Sequence, residues 1–122
     1  MGNDAFVSGG VMLHQKIRVG DGVMISGVSA FSEDIPPYVN AHKRNTVAGI
    51  NLIGMRRRNT PAAAVAEVKR LYMAVYSGGV CADNAGKLLA QKAYSTPEGE
   101  NFLRFFAEPG RHYIHVDREK RR

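Results

Sequence analysis

The sequence predicts a β-solenoid plus α fold: a truncated parallel β-helix of hexapeptide repeats, followed by a small C-terminal helical bundle. Three observations carry this prediction. Val7, Leu13, Val19, Ile25 and Phe31 recur every six residues, and Val11, Ile17, Val23, Ser29 and Ile35 follow each of them four places on. Pro36 and Pro37 interrupt that beat, and beyond them Thr60-Pro61 and Thr96-Pro97 each open a stretch with helical periodicity. A six-residue beat suits neither a helix of period about 3.6 nor a strand of period about 2, but it suits a coil of short strands joined by turns.

Each hexad should form one face of a triangular prism, so residues 7–36 should make fewer than two turns. Stacked neighbours are needed to bury such faces, and Met1 and Ala5 already fall on the two inward phases. The expectation is the tail of a longer solenoid that ends at Pro36-Pro37, where backbone donors are lost and the chain is held extended. Residues 1–39 are then the coil domain and residues 40–122 the helical domain. From about Val47 to Arg58 the spacing of Val47, Ile50, Leu52, Ile53 and Met55 predicts a short helix, weakened by Gly49 and Gly54.

Thr60-Pro61 supplies a cap and a first-turn proline for a helix running to about Tyr76. Its apolar face is Val65, Val68, Tyr72 and Val75; Glu67, Lys69 and Arg70 lie elsewhere, and Gly78-Gly79 ends it. Asp83 is a candidate cap for a helix carrying Ala85, Leu88, Leu89 and Ala93, and Thr96-Pro97 for one carrying Phe102, Leu103, Phe105 and Phe106 before Pro109-Gly110. Ile114 and Val116 suit a short strand or strap, and a basic, mobile tail follows Asp117.

Composition narrows the function classes. Cys81 is the only cysteine, so the chain forms no internal disulfide and no cysteine-rich metal cluster, which fits a reducing cytoplasm. No apolar run approaches the ~20 residues of a membrane span, and residues 1–12 lack the build of a signal peptide. The formal charge of +6 gathers at Lys43-Arg44, Arg56-Arg57-Arg58 and Arg118–Arg122 and favours anionic partners: nucleic acid, phosphorylated small molecules, an acidic carrier protein or an anionic surface. Nucleic acid is disfavoured, because the chain has no base-reading motif and no interleaving of aromatic and basic residues.

Residue chemistry alone leaves several readings open. His14 takes an outward or corner position of a hexad, where surface histidines outnumber functional ones. The Arg56–Arg58 triplet suits a solvated helix C-terminus as well as a phosphate site. His42, His112 and His115 have no metal-like partner at helical spacing, so no metal and no cofactor is expected. Tyr72, Phe102 and Phe105 at helical spacing suit a core.

The order Gly9-Gly10-Val11-Met12-Leu13-His14-Gln15, then the hexads, then Glu33-Asp34-Ile35-Pro36-Pro37-Tyr38-Val39, then Gly49-Ile50-Asn51-Leu52-Ile53-Gly54-Met55-Arg56-Arg57-Arg58 resembles the C-terminal portion of the UDP-N-acetylglucosamine O-acyltransferases of lipid A synthesis, over roughly residues 2–106. The resemblance implies a left-handed parallel β-helix with a helical domain, assembled as a homotrimer. It also implies transfer of a 3-hydroxyacyl chain from acyl carrier protein to the sugar 3-hydroxyl, with a histidine as general base. That histidine belongs to a coil upstream of the His-Gln pair, so no catalytic residue is assigned in this chain.

By the same resemblance His14 and Gln15 line the cleft, Asn51, Arg57 and Arg58 approach the UDP portion, and Gly27 takes the position that measures acyl length. Lys16 stands where the family carries an aromatic residue, and the loop from Asn40 to Val47 is one residue short of the family's pattern. The implied function is the nucleotide-sugar-binding, trimerising part of such an acyltransferase. The alternative is a free-standing, non-catalytic relative that binds a nucleotide sugar, a carrier protein or a full-length paralogue.

Overall fold

From Val7 to Ile35 the inward positions of the six-residue beat face the interior of a prism in the computed structural model, which describes residues 2–108 and 111–116; Met1, the Pro109-Gly110 stop and the expected tail after Asp117 lie outside the described residues. Val19, Val23, Ile25, Ser29, Phe31 and Ile35 are buried, and Val7, Val11, Leu13 and Ile17 of the first coil are half-buried and pack against them. Strands β1 (Phe6–Val7), β3 (Met24–Ile25) and β5 (Val39–His42) stack in parallel as one face, and β2 (Met12–Leu13) and β4 (Ala30–Phe31) form the second. The third face is thinner: Val19 bridges to Ile35, and Gly20 donates to the Ile35 carbonyl at 2.8 Å.

The coil tightens as it rises. Phe6 lies opposite Met24, eighteen residues on, whereas Met24 lies opposite Asn40, only sixteen residues on. The two missing residues fall between Phe31 and Ile35, so Ile35 stacks on Val19 rather than completing the hexad of Phe31. The expected end at Pro36-Pro37 is thereby corrected: both prolines are buried and the parallel ladder resumes in β5. Proline lacks the N–H needed on the third face but leaves the next face free to pair.

The chain then reverses. β6 (Thr46–Ile50) pairs antiparallel with β5, and β7 (His115–Val116) adds in parallel on its far side. The helix expected from about Val47 is therefore a strand followed by a shorter helix, α1 (Leu52–Arg57). The open edge of β5 supplies ladder partners that outweigh the weak helical spacing, and Gly49 adopts φ 111, outside any helix.

The three Pro- and Gly-marked helices follow as α2 (Ala62–Val75), α3 (Cys81–Ala90) and α4 (Pro97–Phe105), packed on one another. Thr96 caps α4 by accepting from Gly99 N, as its sequence predicts, but Asp83 sits in the first turn of α3, where Val80 is the cap residue. Among the described residues no helix is long and apolar enough to cross a membrane. Tyr72, Phe102 and Phe106 are buried, with the Phe102 and Phe106 ring centroids 5.4 Å apart and nearly edge-on.

Two buried carboxylates tie these parts together. Asp34, 2% exposed, accepts from Arg18 N and Nε at 2.9 Å each and from Arg111 Nε and Nη2 at 2.8 and 2.7 Å. Burial works to raise its pKa, but the hydrogen bonds from Arg111 and then Arg18 outweigh it, and the net value lies below the ordinary 3.8. Glu67 is the second, and it corrects its expected place off the packed face of α2. Its Oε1 accepts from Ser95 N and Oγ at 2.6 and 2.9 Å, and its Oε2 from Thr96 N at 3.0 Å and from the Thr96 hydroxyl. A β-carbon on Gly99 would collide with Oε2, so the carboxylate reaches the start of α4 only over a glycine.

Both carboxylates have folded pKa values below their unfolded ones, so their contribution is complete above about pH 4.5 and is lost as pH falls through the folded values. Asp34→Asn is expected to cost about 2–4 kcal/mol at pH 7 by leaving two guanidinium groups without their charge partner, with part of that offset because both arginines are about a third or less exposed. Urea denaturation at pH 7 and pH 3 checks this, the variant showing a shallower acid decline than the parent. Glu67→Gln should cost about 1–3 kcal/mol at pH 7 and lower the melting temperature by several degrees.

Candidate functional site

The prism has three corners, and the candidate residues are divided among them. The first is built from the turns at Asn3-Asp4, Asp21-Gly22 and Pro37-Tyr38, stacked through Gly22 N to Asn3 O and Tyr38 N to Asp21 O, both 2.8 Å. The second stacks Gly9-Gly10 under Gly27-Val28, with Val28 N donating to Gly9 O at 3.1 Å. At the third, Gln15-Lys16 and Ser32-Glu33 meet the strap Arg111-His112.

Asn51 and Arg58 belong to the first corner. The Asn51 amide caps α1 by accepting from Gly54 N at 3.0 Å and donates to Gly22 O at 3.1 Å, so it joins the helix to the middle coil. Gly54 permits this because a β-carbon there would strike the Asn51 amide. Arg58 follows the last turn of α1 and folds back over the coil: its Nε is 3.6 Å from the Asp4 carboxylate and its guanidinium carbon 5.6 Å from the Tyr38 ring centroid. Its Nη1 is buried with no hydrogen-bond partner among the described residues, and a donor left in that state costs about 1–3 kcal/mol. Gly22 makes room for this guanidinium; its φ is 66 and a β-carbon would collide with Nη1. Arg57 is exposed.

Gly27 lies at the second corner, exposed, with space for a β-carbon only at 3.1 Å from Gly9 O. Around it Phe6, Met12 and Val28 are 59%, 72% and 88% exposed, an apolar edge on both sides of the corner. Val28 holds φ 54, a conformation that a β-branched residue adopts only under strain.

His14 and Gln15 are exposed at the third corner, where His14 N donates to Phe31 O at 2.9 Å. His14 borders an open groove of about 340 Å³ that runs along Met12, Ala30, Arg44 and Asn45. Asn45 organises this corner and escaped the sequence reading. Its Oδ1 accepts from Ser32 N and Glu33 N at 2.8 and 3.1 Å, and its Nδ2 donates to Ser32 Oγ at 2.9 Å. The signal for it is an asparagine at positive φ, 51, in the loop before β6. Cys81 is half-buried and burial pushes its thiol pKa up, which disfavours the reactive thiolate.

Within one chain the structure brings Asn51 and Arg58 to the first corner, Gly27 to the second, and His14 and Gln15 to the third. This arrangement defines a hexapeptide-repeat β-solenoid protein with a helical domain at one end and polar residues displayed on its corners. The family profile described as "Udp N-acetylglucosamine O-acyltransferase; Domain 2" matches residues 34–114. The Acyl-[acyl-carrier-protein]--UDP-N-acetylglucosamine O-acyltransferase of Janthinobacterium sp. (strain Marseille) is 33% identical over 104 residues, 84% of this chain and 40% of that protein. The protein of the same name from Burkholderia orbicola (strain MC0-3) is 33% identical over 101 residues, 82% and 38% of the two.

Among solved structures, the UDP-N-acetylglucosamine acyltransferase from Campylobacter jejuni superposes with a TM-score of 0.85 at 29% identity, over 95% of this chain and 45% of that one. The enzyme from Bacteroides fragilis 9343 does so with a TM-score of 0.82 at 35% identity, over 93% and 45%. The chain belongs to the UDP-N-acetylglucosamine O-acyltransferase family. It spans about 40% of the length of these curated relatives.

Asn51→Ala removes both the α1 cap and the tie to Gly22, and about 1–2 kcal/mol of stability should go with them. Thermal unfolding followed by far-ultraviolet circular dichroism reads this directly; an unchanged melting temperature would mean that the amide does not hold the corner.

Proposed function

We propose that this chain is the nucleotide-sugar-binding and trimerising C-terminal part of an acyl-carrier-protein-dependent UDP-N-acetylglucosamine 3-O-acyltransferase, acting in the cytoplasm in lipid A synthesis. Its coils, residues 1–39, carry His14, Gln15 and Gly27, and residues 40–122 carry Asn51, Arg57 and Arg58; β5 runs across that boundary. The coils continue a left-handed helix. The general base, a histidine, belongs to an upstream coil outside this chain, so the residues here bind and orient the substrates rather than move the proton. Arg57 and the unused Nη1 of Arg58 meet the diphosphate, His14 and Gln15 line the cleft, and Gly27 leaves the acyl groove open.

The observation that carries this reading is the distribution of the family's residues over separate corners of one prism. A site that uses all of them needs a neighbouring copy, which a homotrimer supplies. The relatives' printed names supply the substrate pair, a UDP-sugar and an acyl carrier protein. An unpartnered, buried guanidinium donor beside an exposed arginine suits a diphosphate, which takes charge-assisted and often bidentate contacts.

Joining the upstream coils of a relative to this chain is expected to give a trimer that transfers the acyl group and binds UDP-N-acetylglucosamine. In that protein Arg57→Ala should weaken nucleotide-sugar binding about tenfold or more with no change in melting temperature, since Arg57 is exposed. A folded, extended protein with neither binding nor transfer would overturn the reading.

A further inference from the structure

The C-terminal strap borders an open pocket of about 160 Å³ at the third corner, lined by His14, Lys16, Ser32, Asp34, Arg111 and His112 with Ile17 as its apolar member. Three separate segments form it, and two bonds of the strap fix its shape: Arg111 Nη2 to Lys16 O at 2.7 Å and Asp34 N to His112 O at 2.8 Å. Among the described residues, the imidazoles of His14 and His112 and the ammonium of Lys16 have no hydrogen-bond or ion-pair partner. Ser32 Oγ accepts from Asn45 Nδ2, which leaves its O–H free to donate. The one carboxylate of the lining, Asp34, is already shared by Arg18 and Arg111.

The wall therefore sets the charges of Lys16 and Arg111 against the single carboxylate of Asp34, so it is net positive, and Lys16, Ser32 and the imidazoles of His14 and His112 have donors to offer. Charge-assisted bonds to an oxyanion suit such a wall. The pocket falls below the roughly 300 Å³ of ordinary small-molecule sites, so it suits one compact group and not a whole organic ligand. It adjoins the groove beside Met12 and Ala30, which shares His14 and Ser32 and is about 340 Å³. We propose that this pocket is an anion site for the phosphate group of a phosphorylated small molecule whose remainder lies in the adjoining groove. It shares His14 with the cleft described above, but the roles of Lys16, Ser32 and His112 stand on the strap's hydrogen bonds to the corner and do not require the acyltransferase reading.

Inorganic phosphate titrated into the full chain tests this, with the imidazole signals of His14 and His112 followed by nuclear magnetic resonance. Saturable shifts are expected that sodium chloride at matched ionic strength does not reproduce. Lys16→Ala should weaken phosphate about tenfold and His112→Gln severalfold, while Lys69→Ala on the exposed side of α2 leaves it unchanged. Parallel titrations with UDP and with glycerol phosphate distinguish a nucleoside diphosphate from a phosphate monoester as the source, by which binds tighter. Shifts matched by chloride, or a folded Lys16→Ala variant that binds phosphate as well as the parent, would overturn the site. Either result leaves the effect of Arg57→Ala on nucleotide-sugar binding as a separate readout.

Discussion

The Asp34 carboxylate is the constraint on which the rest of the arrangement depends. It lies where the coil drops two residues, and it joins Arg18 of the first coil to Arg111 of the strap. Its backbone continues the tie, with N–H donating to His112 O and C=O accepting from Ile114 N at 3.0 Å. Arg18 then carries the connection onward: Nη2 donates to Phe105 O at 2.8 Å and its guanidinium carbon lies 4.2 Å from the Phe105 ring centroid. Coil, strap and α4 thus converge on one ionised group. An ion pair with a buried carboxylate is weak evidence of net stabilisation compared with an apolar core; what this one does is join two guanidinium groups from separate segments, Arg18 also lying 3.3 Å from Glu108.

The shortened coil explains why the helical domain can sit where it does. A prism of constant perimeter would present another open triangle of backbone at its end. With two residues fewer between Phe31 and Ile35 the third face is shorter, and the chain leaves the coil along β5 instead of turning again. β6 covers the edge of β5 and β7 covers β6, so two of the unpaired edges that favour aggregation are closed by the chain's own C-terminal half. The buried core is continuous across this junction, from Ile25 and Val39 through Val47 and Ile114 to Phe102 and Phe106.

Much of the fold is legible in the sequence because it obeys periodic rules. The inward ladder is one residue in a hexad plus another four places on, and even Ser29 fits, since its hydroxyl donates to Ser26 O at 2.8 Å inside the coil. Thr96-Pro97 gives its helix for a local reason, a side-chain cap beside a proline at the first turn. The register skip is illegible because Ile35 stands four residues after Phe31 in either register; only the strand opposite tells the two apart. β6 and Glu67 are illegible for a related reason, since their partners lie on other elements: the edge of β5 for one, Ser95 and Thr96 for the other. Of the site, residue chemistry reveals the arginine triplet, and the family pattern supplies His14, Gln15, Gly27 and Asn51. Neither reveals Asn45, whose work is done across a turn thirteen residues away at Ser32.

At the first corner the residues that the family pattern assigns to ligand also hold the fold. Asn51 fastens α1 to Gly22, and Arg58 lies across Gly22 and Tyr38 with one donor unsatisfied. That donor is a destabilising feature of the unliganded chain, so an acceptor that reaches it relieves a cost already present as well as adding a bond. Binding and stability are then linked: a ligand taken by the folded corner and not by the unfolded chain stabilises it in proportion to its concentration over its Kd. Gly22 makes the corner hard to alter, because any side chain there would meet both the positive φ and the guanidinium. The third corner is built the other way, with Asn45 and Asp34 holding the backbone while the side chains of Lys16, His14 and His112 have no partner among the described residues. A substitution at Lys16 therefore tests binding with little disturbance of the fold, whereas one at Arg58 disturbs both.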